Sequence, residues 1–233
     1  MSQQANTDMT GKMSAKLGRP GWMLATYGLL GRFSAPVWRL ALSVRKRRNK
    51  ETDTSVTQKL GAPSATRPSG QLVWLHGVSV GESMALRPLI AALSNSRPEL
   101  HFLLTSSTTT SAAALLQNGL PPRTIHQFAP VDTKSAVDAF LNHWQPDAVA
   151  FSERDFWPGL IRWTQEWGQS RNVAPLLINS RMSQDSLKRR TRGATLFRDL
   201  LRGFPKILLQ DEGSQARFVS LGVPANQLEI VGS

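Results

Sequence analysis

Apolar positions along this chain come in two kinds of block that take turns. Short continuous apolar runs fall near 71–75, 101–105, 124–128, 147–151, 174–178, 206–209 and 228–231, the pattern of buried strands. Between them, near 83–95, 111–118, 133–143, 157–168, 186–202 and 212–221, apolar residues return every three or four positions. That spacing predicts helices with one buried face. Regular alternation of strand and helix predicts a parallel sheet covered on both faces, an α/β Rossmann-like doubly wound domain over 71–233. No internal repeat, no GxGxxG and no GxxxxGK[ST] interrupts it, so neither a dinucleotide fingerprint nor a P-loop is present.

Before residue 70 the pattern changes. Trp22-Met-Leu-Ala-Thr-Tyr-Gly-Leu-Leu30 and Phe33-Ser-Ala-Pro-Val-Trp-Arg-Leu-Ala-Leu42 are apolar but broken by Arg32, Pro36 and Arg39, and Arg45-Lys-Arg-Arg48 follows. A spanning helix wants roughly 20 mostly apolar residues. A signal peptide wants a small-residue cleavage site rather than a basic exit. Tryptophans at both ends with a polybasic tail predict an interfacial helix on an anionic membrane surface over 1–50. A soluble helix docked on the domain is the competing expectation. Residues 51–70, rich in Ser, Thr, Pro and Gly, read as a linker.

Charge sharpens this division. The chain has 233 residues and a net charge of +12. Residues 1–70 hold twelve Lys/Arg against three Asp/Glu, and the rest sixteen against thirteen. The excess therefore belongs to the N-terminal appendage. Nothing near it looks like a base-reading module, so no nucleic acid is expected. With no cysteine and four scattered histidines, neither disulfides nor a metal site is expected.

Candidate chemistry sits in the loops after the strands, where open α/β sheets place their ligands. The first is Gly77-Val-Ser-Val-Gly-Glu82. It reads as a packing turn with Glu82 complementing the helix dipole, or as a G-x-S-x-G nucleophile elbow with Ser79 as an esterase serine, or as a cleft with Glu82 as general base. The esterase reading lacks support: only Asp132 and Asp138 are obvious acids before the last histidine, His143, and no HGGG loop precedes the elbow. Next come Ser106-Ser-Thr-Thr-Thr-Ser111, which suits a sugar or phosphate, and Ser152-Glu-Arg-Asp-Phe-Trp-Pro-Gly159, which puts Glu153 at a strand end. Asn179-Ser-Arg-Met-Ser183 then brings Arg181 to the same rim. Two carboxylates and an arginine at one cleft suit acid–base work on an anionic substrate.

Four segments in register, Ser79-Val-Gly-Glu82, Ala129-Pro-Val-Asp132, Glu153-Arg-Asp-Phe-Trp-Pro158 and Asn179-Ser-Arg-Met-Ser183, resemble the N-terminal domain of the 3-deoxy-D-manno-octulosonic acid (Kdo) transferases. That family's versions run approximately SVGE, PYD, METELWPN and NARLS. The resemblance implies a metal-independent, inverting glycosyltransferase of the two-Rossmann-domain GT-B architecture, without cofactor. It would move Kdo from CMP-Kdo to an acylated, phosphorylated lipid A precursor at the cytoplasmic face of the inner membrane. It implies Glu82 as the base and Glu153 as a stabiliser of the transition state. Ser79, Gly81, Ser106, Thr108, Asp155 and Arg181 become candidate substrate-binding residues, Arg181 toward an acceptor phosphate or carboxylate. The basic cluster Lys188-Arg-Arg190 with Arg192 would face the same phosphates or form a solvated helix face.

Departures from the family are visible too. An arginine separates Glu153 from Asp155, and the hydroxyl loop has lost a proline and a glycine. Glu229-Ile-Val-Gly-Ser233 resembles the point where the family continues into its donor domain. Residues 1–233 alone are therefore expected not to turn over. The alternative from another class is a non-catalytic, membrane-associated module that binds lipid A precursors or a partner.

Overall fold

The computed structural model describes residues 17–152 and 156–232. Seven parallel strands, β1 (Leu72–Gly77), β2 (His101–Ser106), β3 (Thr124–Phe128), β4 (Ala148–Ser152), β5 (Leu176–Ser180), β6 (Ile207–Leu209) and β7 (Leu228–Ile230), form one sheet. Their order is β3-β2-β1-β4-β5-β6-β7. The chain winds outward from β1 to one edge, then returns to β4 and winds to the other, so the switch point lies between β1 and β4. This is the doubly wound α/β sheet that the alternation predicts.

Period-two alternation decides which side chain meets which layer. On one face Leu72 and Trp74 of β1 join Phe140, Trp144, Phe151 and Phe204 in the larger core. On the other, Leu75 joins Leu86, Ile90, Phe102 and Leu104. Trp74 is fully buried, its ring centroid 4.7 Å from that of Phe140, and its indole N–H donates to Thr105 Oγ1 at 2.9 Å. A buried aromatic of this size contributes about 3–5 kcal/mol against truncation to Ala.

Helices α4 (Val80–Ser96), α5 (Thr109–Gln117), α6 (Lys134–Trp144), α7 (Pro158–Gln169) and α10 (Glu212–Ser220) follow the expected pattern. The expected helix 186–202 is instead two, α8 (Gln184–Thr191) and α9 (Ala194–Arg202), parted at Gly193. Glycine is a poor helix former, and here its N–H closes the turn on Arg190 O.

The N-terminal segment folds as α1 (Trp22–Phe33) and α2 (Ala35–Arg47). Leu24 and Gly31 of α1 are buried, and a Cβ on Gly31 would lie 2.5 Å from the Trp163 ring of α7. The opposite stripe is open: Trp22 is 74% exposed and Phe33 75%, with Leu29 and Leu30 between them and Val37 and Leu40 continuing along α2. One face of α1 is thus docked on the domain, as the second expectation has it, and the other is an open apolar stripe. Among the described residues no helix is long and apolar enough to cross a membrane.

Residues 51–70 correct the linker reading. They contain α3 (Asp53–Lys59), started by a reciprocal capping box between Thr52 and Ser55. Glu51 is buried and accepts from Lys59 Nζ and Ser55 Oγ at 2.7 Å and from Arg45 Nε at 2.8 Å. Gln58 Oε1 accepts from Phe128 N at 2.9 Å, and Lys59 O from Val131 N at 2.8 Å. A polar composition suggested solvent; these polar groups are instead spent on one another and on the edge strand β3, which the segment covers.

Candidate active site

The β1–α4 loop is built by short-range bonds. Ser79 is the N-cap of α4, and its Oγ accepts from Glu82 N at 3.3 Å. In return Glu82 Oε2 accepts from Val78 N at 2.9 Å and Ser79 N at 3.2 Å. Two amide donors therefore fix the orientation of this carboxylate at the helix start. Gly77 permits the turn, since a Cβ there would sit 2.9 Å from Ser83 N. Ser79 is engaged as a cap, and among the described residues His76 bonds Thr105, His126 bonds Ser106 and His143 bonds Ala65 O. Among the described residues no histidine bonds Ser79, so no nucleophile–base pair of an elbow is seen there.

A cleft of about 850 Å³ opens beside Glu82 at the carboxyl ends of β1, β4, β5 and β6. Ser79, Gly81 and Glu82 line one side, and Ser152, Asn179 and Gln210 supply polar groups across it. Ser152 ends β4, and its register partner on β1 is Gly77, so the cleft lies at the switch point. The Ser152 hydroxyl is buried without a hydrogen-bond partner among the described residues. Gln210 Nε2 donates to Asn179 Oδ1 at 2.6 Å, and Asn179 has φ +52°. Asparagine tolerates that left-handed backbone. Sequence reasoning missed Asn179 and Gln210; the former was readable only as the start of a motif, the latter not at all.

The other candidates are dispersed. Ser106 is fully buried, its Oγ 2.9 Å from His126 Nε2, and lines neither cavity. β2 runs one residue further than expected and takes Ser106 into the sheet. Thr108 caps α5, accepting from Ser111 N at 3.0 Å, and lines a second cavity. Arg181 is exposed, with Nε 3.5 Å from Asp211 Oδ2 at the start of α10. Glu153 and Asp155 lie outside the described residues. In the basic cluster, Arg190 is buried with its guanidinium 4.8 Å from the Phe156 ring and 5.7 Å from that of Phe197. Lys188, Arg189 and Arg192 are exposed, as a solvated face requires.

Asp132, the acid of the Ala129-Pro-Val-Asp132 segment, is buried rather than in the cleft. Its carboxylate accepts from Gly159 N at 3.1 Å and from Leu160 N, the first amides of α7, and from the hydroxyl of Tyr27. The helix start after the Glu153 segment is thus held from α1 and from the β3–α6 loop together.

Comparison with known proteins gives a consistent result. Residues 54–233 match the family model for 3-deoxy-D-manno-octulosonic-acid transferase (kdotransferase). A probable mitochondrial 3-deoxy-D-manno-octulosonic acid transferase from Arabidopsis thaliana is 41% identical over 165 residues, 70% of this chain and 34% of that protein. The Rickettsia felis transferase is 36% identical over 75% of this chain and 36% of its own length. The Rickettsia bellii transferase is 31% identical over 86% of this chain and 47% of its own. The chain thus spans between a third and a half of these relatives. Among solved structures, Anabaena Alr3699/HepE in complex with UDP and glucose aligns with a TM-score of 0.45 and 12% identity over 70% of this chain and 44% of that one.

Proposed function

Because the chain belongs to the Kdo transferase family, we propose that it supplies the acceptor-binding half of a GT-B enzyme that transfers Kdo from CMP-Kdo to a lipid A precursor. The observation that carries this reading is the placement of Glu82. It stands at the switch-point cleft, on the loop that matches the family's SVGE, with its carboxylate held by two backbone amides. In this reading Glu82 takes the proton from the acceptor hydroxyl as that oxygen attacks the anomeric carbon, with inversion and without a metal. A positioned base of this kind supplies about 10²–10⁴-fold. In the same reading Glu153, next in sequence after Ser152, stabilises the developing positive charge. Arg181 and the exposed Lys188, Arg189 and Arg192 offer charge to acceptor phosphates.

Turnover requires a donor-binding domain, so the reaction is assayed in a protein that carries one. There, Glu82→Gln keeps the shape of the capping box but removes the base. Transfer then falls by about 10²–10⁴-fold while binding of the acceptor persists. Retention of full transfer would leave Glu82 as a helix cap and favour the second reading, a non-catalytic lipid-binding module. The capping geometry itself is the observation that favours that reading.

The open stripe from Trp22 to Leu40 and the basic run Arg45 to Arg48 support a peripheral placement on an anionic membrane surface, the inner membrane's cytoplasmic face in this family reading.

A further inference from the structure

A second cavity, of about 360 Å³, lies between α2 and the carboxyl ends of β1, β2 and β3. It is distinct from the cleft at Glu82, from which the β1–α4 loop divides it: Val78 lines this cavity, while its amide N–H holds Glu82. Its apolar walls are Trp38, Leu42, Val78, Val131, Trp157 and Leu160, and His76, Ser107 and Thr108 add a smaller polar part to the lining. Of the ionic groups in its lining, Glu51 accepts from Lys59 and Arg45 as well as from Ser55, so the three charged side chains bond one another and carry one net positive charge. A sugar or nucleotide placed here would leave most of its hydrogen-bonding groups unmet, which is costly in a dry site. An acyl chain has none to meet.

We propose that this cavity takes one acyl chain of an anionic membrane lipid, drawn in past α2. The proposal rests on the reading of α1 and α2 as the membrane-contacting surface. Two relationships single out this occupant. Trp38 and Leu42 line the cavity, whereas Val37, Leu40 and Val44, on the adjoining side of the same helix, are exposed and continue the open stripe of α1. One apolar surface therefore runs from the outside of α2 to the cavity wall. The half-exposed Arg45 stands at the cavity rim, and Lys46, Arg47 and Arg48 follow it. An anionic headgroup left at the rim meets cations while its chain lies inside. Because Val78 belongs to both the cavity and the Glu82 loop, a lipid held this way is anchored beside the cleft.

The test uses the full chain with vesicles of phosphatidylcholine and phosphatidylglycerol that contain a phospholipid carrying a diazirine in its acyl chain. Co-sedimentation reports membrane binding, and mass spectrometry after irradiation maps the adducts. The expected map has two sets: outer-stripe residues such as Leu29, Phe33 and Leu40, and cavity residues such as Leu42, Val131, Trp157 and Leu160. Ser107→Phe and Ala129→Leu fill the cavity from two walls. Each cuts the cavity adducts by about tenfold or more, as loss of at least a decade of affinity requires, and leaves co-sedimentation and the outer set unchanged. Should one variant fail to melt cooperatively, the other and the wild-type map decide. Co-sedimentation with adducts confined to the outer stripe overturns the proposal and leaves the membrane reading standing. Absence of co-sedimentation overturns the membrane reading, and the proposal falls with it.

Discussion

Tyr27 on α1 donates its phenolic proton to Asp132, 105 residues further along the chain, and Asp132 in turn holds the first amides of α7. Burial raises the Tyr27 phenol above its ordinary range, and the Asp132 charge adds to this. Burial likewise raises the Asp132 carboxyl, against the bonds from Tyr27, Gly159 and Leu160. A helix with an open apolar stripe is thereby tied to the helix start that follows Glu153 and Asp155. Tyr27→Phe removes one donor from a buried carboxylate, and a hydrogen bond to a charged group is worth about 1.5–3 kcal/mol. Asp132→Ala removes the cap as well and is more destabilising. Urea unfolding of both single variants and the double variant gives the coupling. If the effects simply add, the contact carries no energy.

The buried pair of Glu51 and Lys59 makes a separate prediction. Burial acts to raise the Glu51 carboxyl, but the bonds from Lys59, Ser55 and Arg45 outweigh it and hold the group below its ordinary value. Glu51→Gln leaves the Lys59 ammonium buried without its counter-charge, a loss of about 3–5 kcal/mol. Replacing both by Met costs much less, because neither charge then needs solvation. Denaturant midpoints distinguish the two. The stability that Glu51 contributes is present above its ordinary pKa of 4.5 and is lost as pH falls through the lower folded value.

Much of this was legible from residue spacing. The parallel, doubly wound sheet follows from βα alternation, and the Glu82 loop follows from bonds that span at most four residues. What escaped was set by partners far away in the chain. Residues 51–70 look like linker because nothing near Gln58 announces that Phe128 N will use its side chain. Ser106 looked like a loop hydroxyl because a strand end is ambiguous by a residue or two, and that residue decides between solvent and His126. Arg190 sits in a basic run that reads as solvated, yet Phe156 and Phe197 cover it.

His126 sets a pH dependence of its own. Burial pushes its imidazole down from 6.5 to about 4. Below pH 6.5 the unfolded chain takes up the proton first, so stability declines from there to about pH 4 and this contribution is flat below. Above pH 6.5 the group is neutral in both states and contributes no slope. His126→Gln keeps a side-chain group able to reach Ser106 and removes the titration. Its stability profile between pH 4 and 6.5 is shallower than that of the wild type by this one group. Equal slopes in the two proteins would show that His126 is not held neutral.

The open stripe of α1 makes the last prediction, and it separates membrane contact from docking. Leu24 and Gly31 face the domain, whereas Leu30 and Phe33 point away from it. Leu30→Asp with Phe33→Asp therefore leaves the docked face intact, and surface substitutions of this kind change stability by about 0.5 kcal/mol or less. Membrane affinity responds differently, because each large apolar side chain inserted into the interface contributes about 1.5–3 kcal/mol. Losing two lowers partitioning onto phosphatidylglycerol-containing vesicles by two orders of magnitude or more, at about 1.4 kcal/mol per decade. Adding salt to the wild type weakens binding less steeply, since it screens Arg45 to Arg48 but not the apolar stripe. Vesicle co-sedimentation across a salt series measures both effects. Unchanged partitioning of the double variant, with an unchanged melting temperature, would assign the stripe to a protein partner.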